Sequence, residues 1–111
     1  MQIDEIHYKV IRLVEMNPEM SQRQLASELG VSVGKANYCL RALIHSGLIK
    51  VRNFRNSSNK AAYMYLVTPR GIREKARLAV RFLGIKVREY ELLRAEIEQI
   101  RLEAEHADER R

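Results

Sequence analysis

The sequence predicts a mainly α-helical protein with a small β-hairpin and a long C-terminal helix. Three observations support this class. Apolar residues recur at helical spacing up to Gly47, a turn-rich segment at 55–60 separates two strand-like segments, and nothing interrupts helix from Pro69 to about His106. The 111 residues suit one domain and an appendage. We expect a domain at 1–68, a helix at 69–106 and a disordered tail at 107–111.

The first expected helix spans residues 4–16. Its apolar positions are Ile6, Val10, Leu13 and Val14, and Asn17-Pro18 ends it. Glu19-Met20 can form a minimal strand before the next helix.

A second helix is expected to follow Ser21. Ser21 suits a helix N-cap, and Gln24, three residues later, completes a capping box. Gly30 supplies the left-handed residue that ends the helix. The apolar stripe consists of Leu25, Ala26 and Leu29.

A third helix is expected between a cap at Ser32 and Gly47, and its two faces differ in chemistry. One face is apolar, with Val33, Ala36, Leu40, Leu43 and Ile44. The other carries Lys35, Asn37, Tyr38 and Arg41 and no acidic residue. Two short helices joined by a tight turn, with one polar face left free, are typical of a helix-turn-helix. An ordinary helical hairpin is the alternative.

A β-hairpin follows the third helix. Leu48–Phe54 alternates partly, with Ile49 and Val51 on one side and Lys50 and Arg52 on the other. Ala61–Thr68 reads as the return strand, in which Tyr63, Met64 and Tyr65 are expected to pack in the core and wing. Three helices followed by a hairpin with a basic tip describe a winged helix-turn-helix, with its wing at about 48–67.

The C-terminal helix should begin with Thr68 as N-cap and Pro69 at the first helical position. Its ~37 residues would span ~55 Å. Gly84 is its weakest position and marks either a bend or the close approach of another helix. An apolar stripe with an average spacing of 3.5 residues needs a partner, so we expect dimerisation through it; a solvent-exposed single helix is the alternative. The stripe comprises Leu83, Val87, Tyr90, Leu93, Ile97, Ile100 and Ala104.

Charge is distributed unevenly along the chain, whose net charge is +6. Residues 1–85 hold 14 basic and 6 acidic residues, whereas residues 86–111 hold 6 basic and 8 acidic ones. Between Gly34 and Arg81 there are 11 basic residues and a single acid, Glu74. Concentrated positive charge on a compact domain is typical of a nucleic-acid binder.

The residue pattern argues against several other classes of protein. No secretory signal and no membrane-length apolar run occur, so we expect a cytoplasmic, nucleoid-associated protein without a membrane partner. Cys39 is the only cysteine, and we expect it to be a small core residue rather than a redox sensor. His7, His45 and His106 are scattered. We expect no enzymatic activity, no metal and no cofactor.

The expected partner is double-stranded DNA, contacted by three groups of residues. The recognition helix would supply base and phosphate contacts, the wing would supply phosphate or minor-groove contacts, and the start of the preceding helix would touch the DNA backbone. The recognition-helix group is Ser32, Gly34, Lys35, Asn37, Tyr38 and Arg41. The wing group is Arg52, Arg55, Asn56, Ser57, Ser58, Asn59 and Lys60. The group at the start of the preceding helix is Ser21, Gln22 and Arg23.

Over about residues 4–103, the sequence resembles the exopolysaccharide-associated group of MarR-type transcriptional regulators. The most specific parts are G-K-x-N-Y-C-L, beginning at Gly34, and the V-T-P-R-G-I-x-E-K segment, beginning at Val67. The resemblance implies a bacterial winged-helix regulator found with genes for exopolysaccharide synthesis, with Lys35, Asn37 and Tyr38 in its recognition helix. A homodimeric transcription factor is thus the main hypothesis. The alternative is a winged-helix adaptor that docks a protein through its C-terminal helix; any small-molecule effector is unknown.

Overall fold

A computed structural model describes residues 3–55 and 61–109. Three helices precede a two-stranded antiparallel sheet and a fourth, long helix. This order confirms the expected fold class. The elements are α1 (Ile3–Met16), α2 (Gln22–Leu29), α3 (Val33–His45), β1 (Ile49–Arg55), β2 (Ala61–Val67) and α4 (Pro69–Glu109).

The hydrophobic core lies among α1, α2, α3, the inner ends of the strands and the start of α4. Each of the first three helices contributes its predicted apolar stripe, because residues three and four apart share one helix face. Val33 is an exception. It lies in the first turn of α3 and is 46% exposed, beyond the edge of the core. The largest fully buried side chains are Ile6, Ile11, Leu25, Leu40, Leu43 and Ile49.

The ends of α2 and α3 have the predicted caps. The Ser21 hydroxyl accepts a hydrogen bond from the Gln24 amide at 3.1 Å, and the Gln24 side chain accepts one from the Ser21 amide at 2.9 Å. Gly30 adopts the left-handed conformation, with φ of 69°. At the start of α3 the Ser32 hydroxyl accepts from the Lys35 amide at 3.1 Å. These caps fix the angle at which α3 leaves the turn.

The hairpin pairs β1 with β2 in a register that sets Ile49 opposite Val67 and Arg52 opposite Met64. The expected minimal strand at Glu19-Met20 is not formed. A single hydrogen bond, from the Tyr65 amide to the Pro18 carbonyl at 2.9 Å, ties β2 to this segment instead. Proline has no amide hydrogen to continue a ladder there, so the contact stays isolated.

Thr68 and Pro69 begin α4 as predicted. The Thr68 hydroxyl accepts from the Gly71 amide at 3.0 Å and lies 2.7 Å from the Gly47 carbonyl oxygen. Contacts divide the chain into two units, Met1–Ala79 and Val80–Arg111. The first turns of α4 belong to the first unit, because Gly71 and Leu78 are buried there. The first compact unit therefore ends at Ala79, eleven residues after the boundary expected at 68.

The second unit is the rest of α4, which is helical without interruption through Gly84. The helix reaches Glu109. Residues 107–109 are therefore helical rather than part of the expected disordered tail, because alanine and glutamate favour helix and no breaker precedes them. Within the chain this unit leaves its apolar stripe exposed. Leu83, Tyr90 and Ile100 are 63%, 63% and 55% exposed.

Candidate nucleic-acid interface

The exposed face of α3 is polar and carries positive charge. Lys35 and Arg41 are exposed, Tyr38 is 74% exposed and Asn37 is half-buried. Ala36 and Leu40, on the other face, are fully buried. The structure thus brings the four expected recognition residues to one side of a helix held by its apolar side. Ser32 and Gly34, at the start of α3, are exposed too.

A shallow groove separates α3 from the hairpin within the first unit. Asn37 and Arg41 line it on the α3 side, and Val51 and Tyr63 line it on the strand side. Of the residues expected to pack in the core and wing, Tyr63 is 62% exposed and lies on the wing outside the core. Tyr63 and Tyr65 share one face of β2 because they are two residues apart. Only Tyr65 lies near enough to the helices to be buried.

Tyr63 and Val51 are therefore surface residues beside α3 that the sequence did not single out. A signal was present, since an aromatic residue near the basic tip of a hairpin can stack on or reach a nucleic acid. The same alternation pattern also fits a buried strand, and the sequence alone does not reveal where the core ends along β2.

The three residues expected to contact the DNA backbone from α2 have different surroundings. Ser21 is exposed, and its hydroxyl oxygen serves the capping box. Gln22 is half-buried and lines the groove, and its Nε2 donates to the Tyr65 hydroxyl at 3.4 Å. Arg23 is exposed. The one cation of this group, Arg23, is thus accessible to a DNA phosphate.

The wing is described only in part. Arg52 is exposed in the middle of β1, and Arg55 is the last residue of that strand. The expected contacts at Asn56, Ser57, Ser58, Asn59 and Lys60 lie outside the described residues. Among the described residues, Arg52 is therefore the expected wing contact that is exposed.

The environment of Cys39 favours the neutral thiol. The side chain is buried in α3, and this burial raises the pKa of Cys39, while nearby Lys35 lowers it to a smaller extent. A thiol with a raised pKa is a poor nucleophile at neutral pH. Cys39 thus behaves as a core residue of α3.

Two further features concern metals and membranes. Within residues 3–55 and 61–109, His, Cys, Asp and Glu side chains form no group of three or more that could hold a metal ion. Over the same residues, no helix combines the length and apolar character needed to cross a bilayer.

Comparison with known proteins places the fold. Residues 3–50 match a family profile described as winged helix-turn-helix DNA-binding. No curated protein matches the sequence. Solved structures give the other similarities, and all of those described below are less than 25% identical to this chain.

Three structural relatives illustrate the similarity. The PcaV transcriptional regulator from Streptomyces coelicolor, in complex with its natural ligand, has a TM-score of 0.58 at 21% identity, over 72% of this chain and 55% of that one. Staphylococcus aureus MarR, in complex with salicylate and kanamycin, has a TM-score of 0.52 at 16% identity, over 72% and 52%. S. aureus MepR, in a DNA complex, has a TM-score of 0.57 at 17% identity, over 74% and 58%.

This chain therefore spans little more than half the length of these three relatives. At these identities the similarity establishes the architecture. The chain has a winged helix-turn-helix fold followed by a long C-terminal helix, with the polar face of α3 exposed beside the wing.

Proposed function

We propose that this chain is a MarR-type transcriptional regulator that binds specific sequences in double-stranded DNA in the bacterial cytoplasm. The observation that carries the proposal is the exposed, acid-free face of α3. A small domain gains no core stability from placing Lys35, Tyr38 and Arg41 together on its surface. A helix with this face fits the major groove, where cationic and amide side chains meet phosphates and base edges.

The recognition helix supplies sequence preference in this proposal. Lys35 and Arg41 can donate to guanine, and the Asn37 amide can form two hydrogen bonds with adenine. Tyr38 can contact a phosphate or a thymine methyl group. Ser32 and Gly34 let the helix N-terminus approach a phosphate, where its unpaired amides favour negative charge.

The flanking elements supply affinity more than specificity. Arg52, on the exposed part of the wing, and Arg23, at the start of α2, pair with phosphates on either side of the groove. The groove between α3 and the hairpin leaves Tyr63 beside Asn37 and Arg41. We assign Tyr63 to the same interface, as a contact to sugar or base.

Enrichment of random duplexes by the full chain tests this function. Competition binding then compares the selected duplex with a scrambled one for Lys35→Ala and Asn37→Ala. Each change should cost ~1–3 kcal/mol on the selected duplex and little on the scrambled one. Arg12→Ala is the control, because Arg12 is exposed on α1 and lines a different surface from Asn37 and Arg41. Equal losses of binding free energy on both duplexes would show that Lys35 and Asn37 contact the DNA backbone and not the base edges.

The chain acts as a homodimer in this proposal. The support is the stripe on α4, where Leu93, Ile97 and Ile100 are each about half exposed at 53%, 48% and 55%. Apolar side chains in a row along an otherwise charged helix are stabilised when another helix covers them. A dimer also gives each operator half-site one recognition helix, which predicts an inverted repeat.

Paired substitutions test the homodimer by sedimentation equilibrium. Ile97→Asp should place a carboxylate in the contact and shift the protein to monomer. Leu102→Asp is the matched control, since Leu102 is also exposed, at 49%, but lies off the stripe. Wild-type protein that is monomeric at tens of micromolar would exclude a dimer of useful affinity.

The association with exopolysaccharide genes is the most specific part of the proposal and rests on the sequence resemblance. Chromatin enrichment in the source bacterium should recover sites beside genes for exopolysaccharide synthesis. Sites elsewhere would retain the regulator and remove this association. If the chain shows no preference for any duplex yet captures a protein through α4, the adaptor hypothesis replaces the regulator.

A further inference from the structure

The apolar stripe on α4 contains a strict seven-residue repeat. Leu83, Tyr90, Ile97 and Ala104 are seven residues apart and occupy position a of a heptad. Leu93, Ile100 and Ala107 then occupy position d. Lys86 is the one d residue in this range that is not apolar, and the adjacent Val87, at position e, accounts for the irregular spacing of the stripe as a whole. The repeat of 25 residues would form a contact ~36 Å long.

The charges beside this repeat are segregated by sign. Position g holds Glu89, Glu96 and Glu103, whereas position e holds Arg94 and Arg101. These are the positions that border an a/d contact on its two sides. A shallow groove on the helix contains both arginines beside the apolar repeat. Its lining residues are Tyr90, Leu93, Arg94, Ile97, Glu98 and Arg101.

The charged side chains at positions g and e form few ion pairs within a single chain over residues 80–109. Over residues 80–109, Arg94, Glu96 and Arg101 make no ion pair. Glu89 does make one, with Lys86 at 3.2 Å, but both side chains are about half exposed, at 58% and 45%. An exposed pair of this kind contributes little to stability, so Glu89 can exchange partners.

The segregation decides between the two possible orientations of a helix pair. In a parallel pair, position g of one helix faces position e of the next heptad in the other. Glu89 then meets the second copy's Arg94, and Glu96 meets its Arg101, which by symmetry gives four attractive pairs. In an antiparallel pair, g faces g and e faces e. Every flanking contact among these residues would then join two glutamates or two arginines.

The register follows from the same positions. With no offset, the β-branched Ile97 and Ile100 face their own copies at the centre of the contact. One unfavourable pairing remains, because Glu103 faces Asp108 near the C-terminal end. An offset of one heptad would lose one apolar layer and misalign Lys86 with Leu93.

We propose that residues 83–107 form a parallel, in-register, two-stranded coiled coil with a second copy of this chain, in an orientation selected by glutamates at position g and arginines at position e. This inference rests on the proposed homodimer and adds its geometry. In such a pair the two Val80 residues, where each chain enters from its first unit, lie side by side at one end.

Charge reversal at one flank tests the orientation. In a parallel pair, Glu89→Arg with Glu96→Arg sets arginine against Arg94 and Arg101 and should weaken self-association at least about tenfold in sedimentation equilibrium. Adding Arg94→Glu and Arg101→Glu should restore the wild-type constant to within about threefold. In an antiparallel pair, the double reversal only replaces glutamate pairs with arginine pairs, so an unchanged constant would overturn the proposal.

Disulfide cross-linking gives an independent test in a Cys39→Ala background. Ala107→Cys should oxidise to a covalent dimer, because the two d positions are adjacent in a parallel pair. An antiparallel pair instead joins Leu83→Cys with Ala107→Cys when the two variants are mixed. That cross-link, or an Ala107→Cys protein that dimerises without forming the disulfide, would overturn the coiled coil while leaving the homodimer intact. A wild-type monomer would overturn the homodimer itself.

Discussion

Replacement of Gly71 by alanine tests the packing of the start of α4 against Leu48, the residue before β1, and Val67, the last residue of β2. A Cβ atom at position 71 would lie 2.2 Å from the Leu48 carbonyl oxygen and 2.7 Å from a methyl group of Val67. Neither contact is sterically possible. The Leu48 carbonyl oxygen is held in place by the Thr68 amide at 3.0 Å and lies 3.1 Å from the Thr68 hydroxyl. The start of α4 therefore approaches Leu48, the residue before β1, at a distance that only glycine allows.

The cost of Gly71→Ala can be estimated from these contacts. The Leu48 carbonyl must move about 1 Å to reach a tolerable separation, which weakens the hydrogen bond from the Thr68 amide and the shared contact with the Thr68 hydroxyl, together worth ~1–2 kcal/mol. Displacement of the packed Val67 side chain adds ~1 kcal/mol or more. The higher helix propensity of alanine offsets ~1 kcal/mol. The free energy of unfolding should thus fall by ~2 kcal/mol.

Gly84→Ala is the matched control in the same helix. Apart from its chain neighbours and the local backbone of the helix, no atom lies within 4 Å of a Cβ at position 84, so only helix propensity changes and the protein should gain ~1 kcal/mol. Urea denaturation of both variants and the wild type, followed by circular dichroism at one protein concentration, measures the difference. Gly71→Ala protein at least as stable as the wild type would refute the close approach of α4 to the Leu48 carbonyl.

Three further predictions concern charge, thiol chemistry and helix capping. Arg52→Ala should weaken binding about equally on selected and scrambled duplexes and lower the slope of log K against log salt by ~0.9, or twice that in a dimer; an unchanged slope would remove Arg52 from the interface. Cys39 should react with iodoacetamide at pH 7.5 far more slowly than in urea, and reaction at the unfolded rate would show an accessible thiol. Because burial raises the pKa of Cys39, the folded state should lose stability as pH rises above the ordinary value of the thiol, where only the unfolded chain ionises freely. Ser32→Ala removes the oxygen that accepts from the Lys35 amide and should destabilise the domain by ~1 kcal/mol in urea denaturation, whereas no loss would show that the cap is replaceable.

Local signals in the sequence were sufficient for the helices and the hairpin. Ser21, Gln24 and Gly30 act through contacts within three or four residues, so their roles as caps could be predicted without tertiary information. The polar face of α3 was predictable for a similar reason, because helical periodicity fixes which residues lie opposite Ala36 and Leu40.

Features that depend on distant parts of the chain were not predictable. The exposure of Tyr63 depends on where the core ends along β2, and the requirement for Gly71 depends on the Leu48 carbonyl, 23 residues earlier. The extent of the compact domain also depends on packing, since Leu78 is the residue that extends the core into α4. The heptad on α4 was readable in part, although the Lys86–Val87 step concealed its regularity.

The central claim is that α3 reads DNA sequence. The ratio of the dissociation constants of the full chain for nonspecific and specific DNA tests it most directly. Dissociation constants for the enriched duplex and for a scrambled duplex of the same length should be measured at one salt concentration of about 0.15 M. A regulator that reads bases through α3 should bind the enriched duplex at least ~10³-fold more tightly. Equal dissociation constants for the two duplexes would contradict the claim that α3 reads DNA sequence.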